Sequence, residues 1–94
     1  MSINEVFDIL SKTMPQPTKI ILDSEERYLC FEITQIPALK NLINRKFPTV
    51  THVHIDILQT EDGNVFNIMF FDTNGEHVSG CELTKNEVFW DDDE

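Results

Sequence analysis

The residues best able to do chemistry in this chain are three histidines, two cysteines and a large set of carboxylates. His52, His54 and Asp56 alternate along Thr-His-Val-His-Ile-Asp, so on a strand they project from one face about 7 Å apart. At that spacing two imidazoles and a carboxylate can approach a common metal ion. Metal sites, however, draw ligands from several elements and brace them with second partners, so a lone His-x-His on an outward strand face reads as surface and no metal is expected. Cys81 as a nucleophile would need a histidine within hydrogen-bond reach. Its strand-mate His77 lies about 13 Å away along an extended chain, which leaves only His54, from another strand of unknown register. A buried strand cysteine without such a partner stays inert. Asp72, Asn74, Gly75 and Glu76 are spaced somewhat like a calcium loop, but the glycine comes too early and Leu83 stands where the twelfth-position carboxylate belongs. A hairpin turn accounts for them.

There is no G-x-S-x-G, P-loop or G-x-G-x-x-G, and three glycines at or near turns make no phosphate cradle. Among 17 acids no pair stands out for acid and base work. The expectation is a protein that is not an enzyme and carries no cofactor. Cys30 and Cys81 are too few for a disulfide scaffold and read as free thiols in a reducing cytoplasm. The acidic start with Glu5 and Asp8 does not resemble a secretory signal, and no apolar run approaches the length of a membrane span.

Charge is the stronger signal. Seventeen acids against seven bases give −10, which repels nucleic-acid phosphates and anionic lipid headgroups and disfavours both as direct ligands. Residues 1–47 balance six acids with six bases, so the whole net charge lies beyond Phe47, where Lys85 is the only base. The carboxylates there lack local partners and must be solvated or repel one another; gathered on one strand surface they would steer a basic partner toward it.

The elements that carry these residues follow from periodicity. Ser2 and Glu5 have capping-box spacing, and Ile3, Val6, Phe7, Leu10 and Met14 predict a helix to about Thr13, ended by Pro15 and Pro17. Lys19 to Asp23 and Arg27 to Thr34 predict a hairpin across Asp23-Ser24-Glu25-Glu26, with Leu29, Phe31 and Ile33 on its core side and Tyr28, Cys30 and Glu32 opposite. Pro37 opens a second helix on the spacing of Ile36, Leu39, Leu42, Ile43 and Phe47, closed by Pro48; the helix carries Lys40, Arg45 and Lys46, the latter two in its last turn, where cations suit the helix dipole. From Thr51 the period becomes two, with Val53, Ile55 and Ile57 inward. Turns at Glu61-Asp62-Gly63-Asn64 and Asn74-Gly75 delimit strands at 65–73 and 77–84. Residues 85–90 read as a short edge strand or a helical turn.

The order α-β-β-α-β-β-β implies an α+β, two-layer domain over residues 1–90, an antiparallel sheet of about five strands with two helices on one face, followed by an acidic tail at 91–94. Strand 65–71 is apolar on both faces: either both are covered, or one is an exposed patch awaiting a partner. Phe89 and Trp90 offer a further aromatic anchor, unless Trp90 packs back on the sheet. The expected function is a small cytoplasmic inhibitor that occludes a basic protein, in the manner of an immunity protein or antitoxin on a nuclease toxin, with contacts from Asp56, Asp72, Glu76, Glu82, Trp90, Asp91 and Asp92. Two alternatives are a phage-type nucleic-acid mimic and an assembly protein that forms a homodimer through Phe66, Ile68 and Phe70.

Overall fold

The computed structural model describes residues 2–92. Helix α1 spans Ile3–Lys12, and its first turn is capped by Ser2 Oγ, which accepts from the Glu5 N–H at 3.2 Å. Its last turn closes where the Thr13 N–H and hydroxyl both donate to Ile9 O at 2.8 and 3.0 Å, with Pro15 and Pro17 beyond. Two strands follow, β1 at Lys19–Leu22 and β2 at Arg27–Glu32. β2 stops at Glu32 because Gln35 Oε1 takes the Glu32 N–H at 2.9 Å and the chain tightens into a single 3-10 turn, Ile33–Gln35. Helix α2, Pro37–Asn44, begins on a proline that needs no intrahelical donor. It ends at Asn44, whose side-chain amide donates to Phe47 O and Val50 O at 2.9 and 3.1 Å and ties down the turn that follows. Arg45 and Lys46 therefore fall just past the helix rather than in its last turn.

Strands β3 at His52–Thr60, β4 at Gly63–Phe71, β5 at His77–Leu83 and β6 at Val88–Trp90 complete the chain. The α+β antiparallel reading holds, with six strands in place of about five: residues 88–90 pair with β5 as an edge strand. Strand order in space is the order in sequence, β1 to β6, and every pairing is antiparallel.

Register assigns each side chain to a face. Phe31, Val53, Ile55, Phe66, Ile68, Phe70, Cys81 and Leu83 face the helices and are buried, together with Val6 and Leu10 of α1 and Leu39 and Ile43 of α2. Phe7 meets Phe66 edge-on at 5.3 Å, and Phe47 meets Phe70 at 5.6 Å. Each such fully buried side chain contributes about 1.5–3 kcal/mol of transfer free energy, and most of the large ones come from this single sheet face. Phe66, Ile68 and Phe70 are at most 1% exposed, so the expected homodimer through them has no surface to use. The two cysteines cannot bridge. Cys30 pairs with His54 on the uncovered face, whereas Cys81 pairs with Ile68 on the covered face, three strand spacings or about 14 Å across the sheet.

Candidate functional site

Both helices lie on one side, so the opposite face of the sheet is uncovered. In-register pairs define a row running Lys19, Cys30, His54, Met69, Gly80, and a second running Asp56, Asn67, Glu82, Phe89. Of the two options for β4, the exposed patch is the one present: Val65, Met69 and Phe71 are only partly buried beside their fully buried neighbours. The Phe71 ring stacks at 4.2 Å on His54 and meets His77 at 5.6 Å, while Tyr28 stands 6.5 Å from His54. An aromatic strip thus crosses β2, β3, β4 and β5, joined in the second row by Phe89 at 49% exposure.

The expected contact residues separate into three groups. Asp56 and Glu82 flank Asn67 on this face, one on β3 and one on β5, their Cα atoms two strand spacings or about 10 Å apart. Asp91 joins them: its N–H donates to Gly80 O at 3.0 Å, and its carboxylate fills the space over Gly80, where a built Cβ would come within 2.5 Å of Asp91 Oδ2. Asp72 and Glu76 lie at the rim, in the β4–β5 turn. Asp72 Oδ1 accepts from the Asn74 and Glu76 N–H groups at 2.9 and 3.0 Å, so this carboxylate builds the turn, and Gly75 supplies the φ of +79° that the turn requires.

Trp90 and Asp92 turn the other way. Trp90 pairs with Cys81 on the helix side, packs 6.1 Å from Phe70 and 5.9 Å from Phe47, and lies under Lys46 Nζ at 5.0 Å. It is part of the protein's own packing and not an anchor on the open face. Lys46 Nζ also sits 3.4 Å from Asp92 Oδ1, which draws that acid toward the end of α2. Asp93 and Glu94 of the expected tail lie outside the described residues.

Nor do the remaining acids gather on one patch. Glu61, Asp62 and Glu87 share one end of the sheet with Asp23, Glu25 and Glu26 of the β1–β2 turn, while Asp72 and Glu76 occupy the other. What does segregate is the layer: the helices and the turn after α2 hold Lys12, Lys40, Arg45 and Lys46 against Glu5, Asp8 and the paired Asp92, whereas the strands and their turns hold the other described acids against Lys19, Arg27 and Lys85. The helix layer is weakly basic, and the sheet with its turns is strongly acidic.

Burial pushes the Cys30 thiol up, against the pull of Lys19, and burial with Asp91 pushes Cys81 up to about 12, so neither is a thiolate nucleophile near neutral pH. His54 is held below its ordinary value of 6.5, first by burial and then by His52 and Lys19, which keeps it neutral. Tyr28 donates its hydroxyl to Glu26, which pushes its ionisation up to about 12. Among the described residues no three His, Cys, Asp or Glu side chains stand close enough together to hold a metal ion. No helix among them is long and apolar enough to cross a membrane. Comparison with known proteins finds no matching family model, no matching curated protein and no matching solved structure.

Proposed function

We propose that this chain is a cytoplasmic inhibitor that occludes a basic site on another protein through the open face of its sheet, in the manner of an immunity protein or antitoxin acting on a nuclease toxin. The observation that carries the reading is the composition of that face: a half-exposed aromatic strip, Tyr28, His54, Phe71 and Phe89, beside Asp56, Glu82 and Asp91, with Lys19 as the basic residue of the two rows. A protein that binds RNA or DNA must present positive potential, and carboxylates around an apolar centre fit such a surface in place of phosphate. Phe89 takes the anchor role expected of Trp90. A phosphate-mimicking ladder has less support, because the turn carboxylates divide between the two ends of the sheet.

The test is capture from native lysate with the wild-type chain and with the double variant Asp56→Lys, Glu82→Lys, followed by identification of the captured protein and a nuclease assay. The expected partner is basic, its yield falls as salt rises, the charge-reversed variant fails to retain it, and its nuclease activity is suppressed by the wild-type chain. A yield indifferent to salt and to charge reversal refutes electrostatic docking on this face.

A further inference from the structure

β1 is an edge strand whose outer side meets no other strand among the described residues. Asp23 and Glu26 exchange both main-chain hydrogen bonds, at 2.9 and 3.3 Å. Bonded and non-bonded pairs alternate along an antiparallel ladder, so Ile21 and Tyr28 form the next bonded pair. The N–H and C=O groups of Ile20 and Leu22 therefore point away from β2, toward solvent. Their side chains lie on the helix side of the sheet but beyond the reach of the helices: Leu22 is 75% and Ile20 46% exposed. Monomeric proteins guard such an edge with charge, proline or a bulge; β1 carries charge at Lys19, at one end, and its run Ile20-Ile21-Leu22 contains none of these.

We propose that β1 pairs antiparallel with β1 of a second copy about a two-fold axis through Ile21, joining two six-stranded sheets into one. Antiparallel partners share a face, so a two-fold register must set residues of equal parity opposite one another. With Ile21 opposite itself, Ile20 falls opposite Leu22 of the second copy, and the outward main-chain groups of both residues find partners. The same register places Lys19 opposite Asp23 of the second copy, twice, on the open face. The two neighbouring registers fit less well along their length: centred on Ile20, Lys19 falls opposite Ile21 and Leu22 opposite Thr18, and centred on Leu22, Ile21 falls opposite Asp23 and Ile20 opposite Ser24. Only the Ile21-centred pairing is complementary to itself, which commits the edge to a second copy rather than to an arbitrary extended segment. Asp23 Oδ1 already accepts from the Ser24 N–H at 2.7 Å, which fixes the carboxylate at the end of the strand.

The experiment is sedimentation equilibrium of the full chain at physiological salt, with thermal unfolding to show that each variant keeps its fold. The wild type sediments at twice 10.9 kDa as concentration rises. Lys19→Glu and Asp23→Lys each replace two attractive cross-strand pairs by repulsive ones and weaken the dimer on the order of tenfold, while the double swap restores it. Ile20→Pro removes an outward N–H and leaves the β1–β2 hydrogen bonds in place, so it abolishes the dimer without unfolding the chain. A wild type that stays monomeric up to about 1 mM overturns the proposal, as does a dimer indifferent to both single charge changes or not restored by the swap.

Discussion

Replacing Trp90 by alanine separates the two roles an aromatic residue near an acidic terminus can play. The ring contacts Phe70 and Phe47 at 6.1 and 5.9 Å and carries Lys46 at 5.0 Å, all within the molecule. Truncating a fully buried Trp costs about 3–5 kcal/mol. Trp90 is only partly buried on a three-residue edge strand, so about 2–3 kcal/mol is expected, the cation–π contact with Lys46 included. For a domain of this size that corresponds to a fall in Tm of about 10–20 °C, with the chain still folded at room temperature. Because Trp90 is the only tryptophan, unfolding in urea is followed by far-ultraviolet circular dichroism, with an unchanged slope and a lower midpoint expected. Trp90→Phe keeps most of the packing and loses less than half as much. A Trp90→Ala chain within about 0.5 kcal/mol of wild type would refute this packing argument and return Trp90 to the surface.

Two further outcomes follow from groups on or under the open face. His54 titrates below its ordinary 6.5 in the folded chain, so the unfolded chain binds its proton first as pH falls: this contribution to stability is full above about pH 6.5 and is lost as pH drops through the folded value. Urea midpoints of His54→Gln measured across that range will show a flatter profile than wild type, and an identical profile would refute the assignment. A thiol reagent at about pH 8 will modify Cys30 slowly and Cys81 more slowly still, with both reacting at once in denaturant; a rapidly labelled Cys81 in the folded chain would contradict its placement under the helices.

Most of the fold was legible because its elements announce themselves locally. The Ser2 cap, the prolines at 15, 17, 37 and 48, and Asn74-Gly75 each dictate a start or a stop irrespective of what packs nearby. The last strand is harder to read: β6 is three residues long and acquires its identity only by pairing with β5. Helix α2 stops three residues before Phe47 because an Asn44 side chain captures the following carbonyls, a contact no periodicity encodes. At the candidate site the alternation of each strand assigned its faces correctly within the strand, but not which faces coincide. Tyr28, His54, Phe71 and His77 become one strip only through the register of four strands. Trp90 is ambiguous in the sequence for the same reason: next to a run of acids it can be a surface anchor or pack back on the sheet, and the pairing of residue 90 with Cys81 decides for packing.

The sequential strand order has a consequence for how the chain tolerates change in length. Each ladder joins neighbours along the polypeptide, and no strand is inserted between two others from a distant part of the chain. Change at β6 therefore acts on one ladder and on the Trp90 packing against Phe47 and Phe70, whereas α1 is clamped over β4 through Phe7 and Phe66. A lengthened N-terminus must leave the Ser2 cap intact, since its hydroxyl holds the Glu5 N–H.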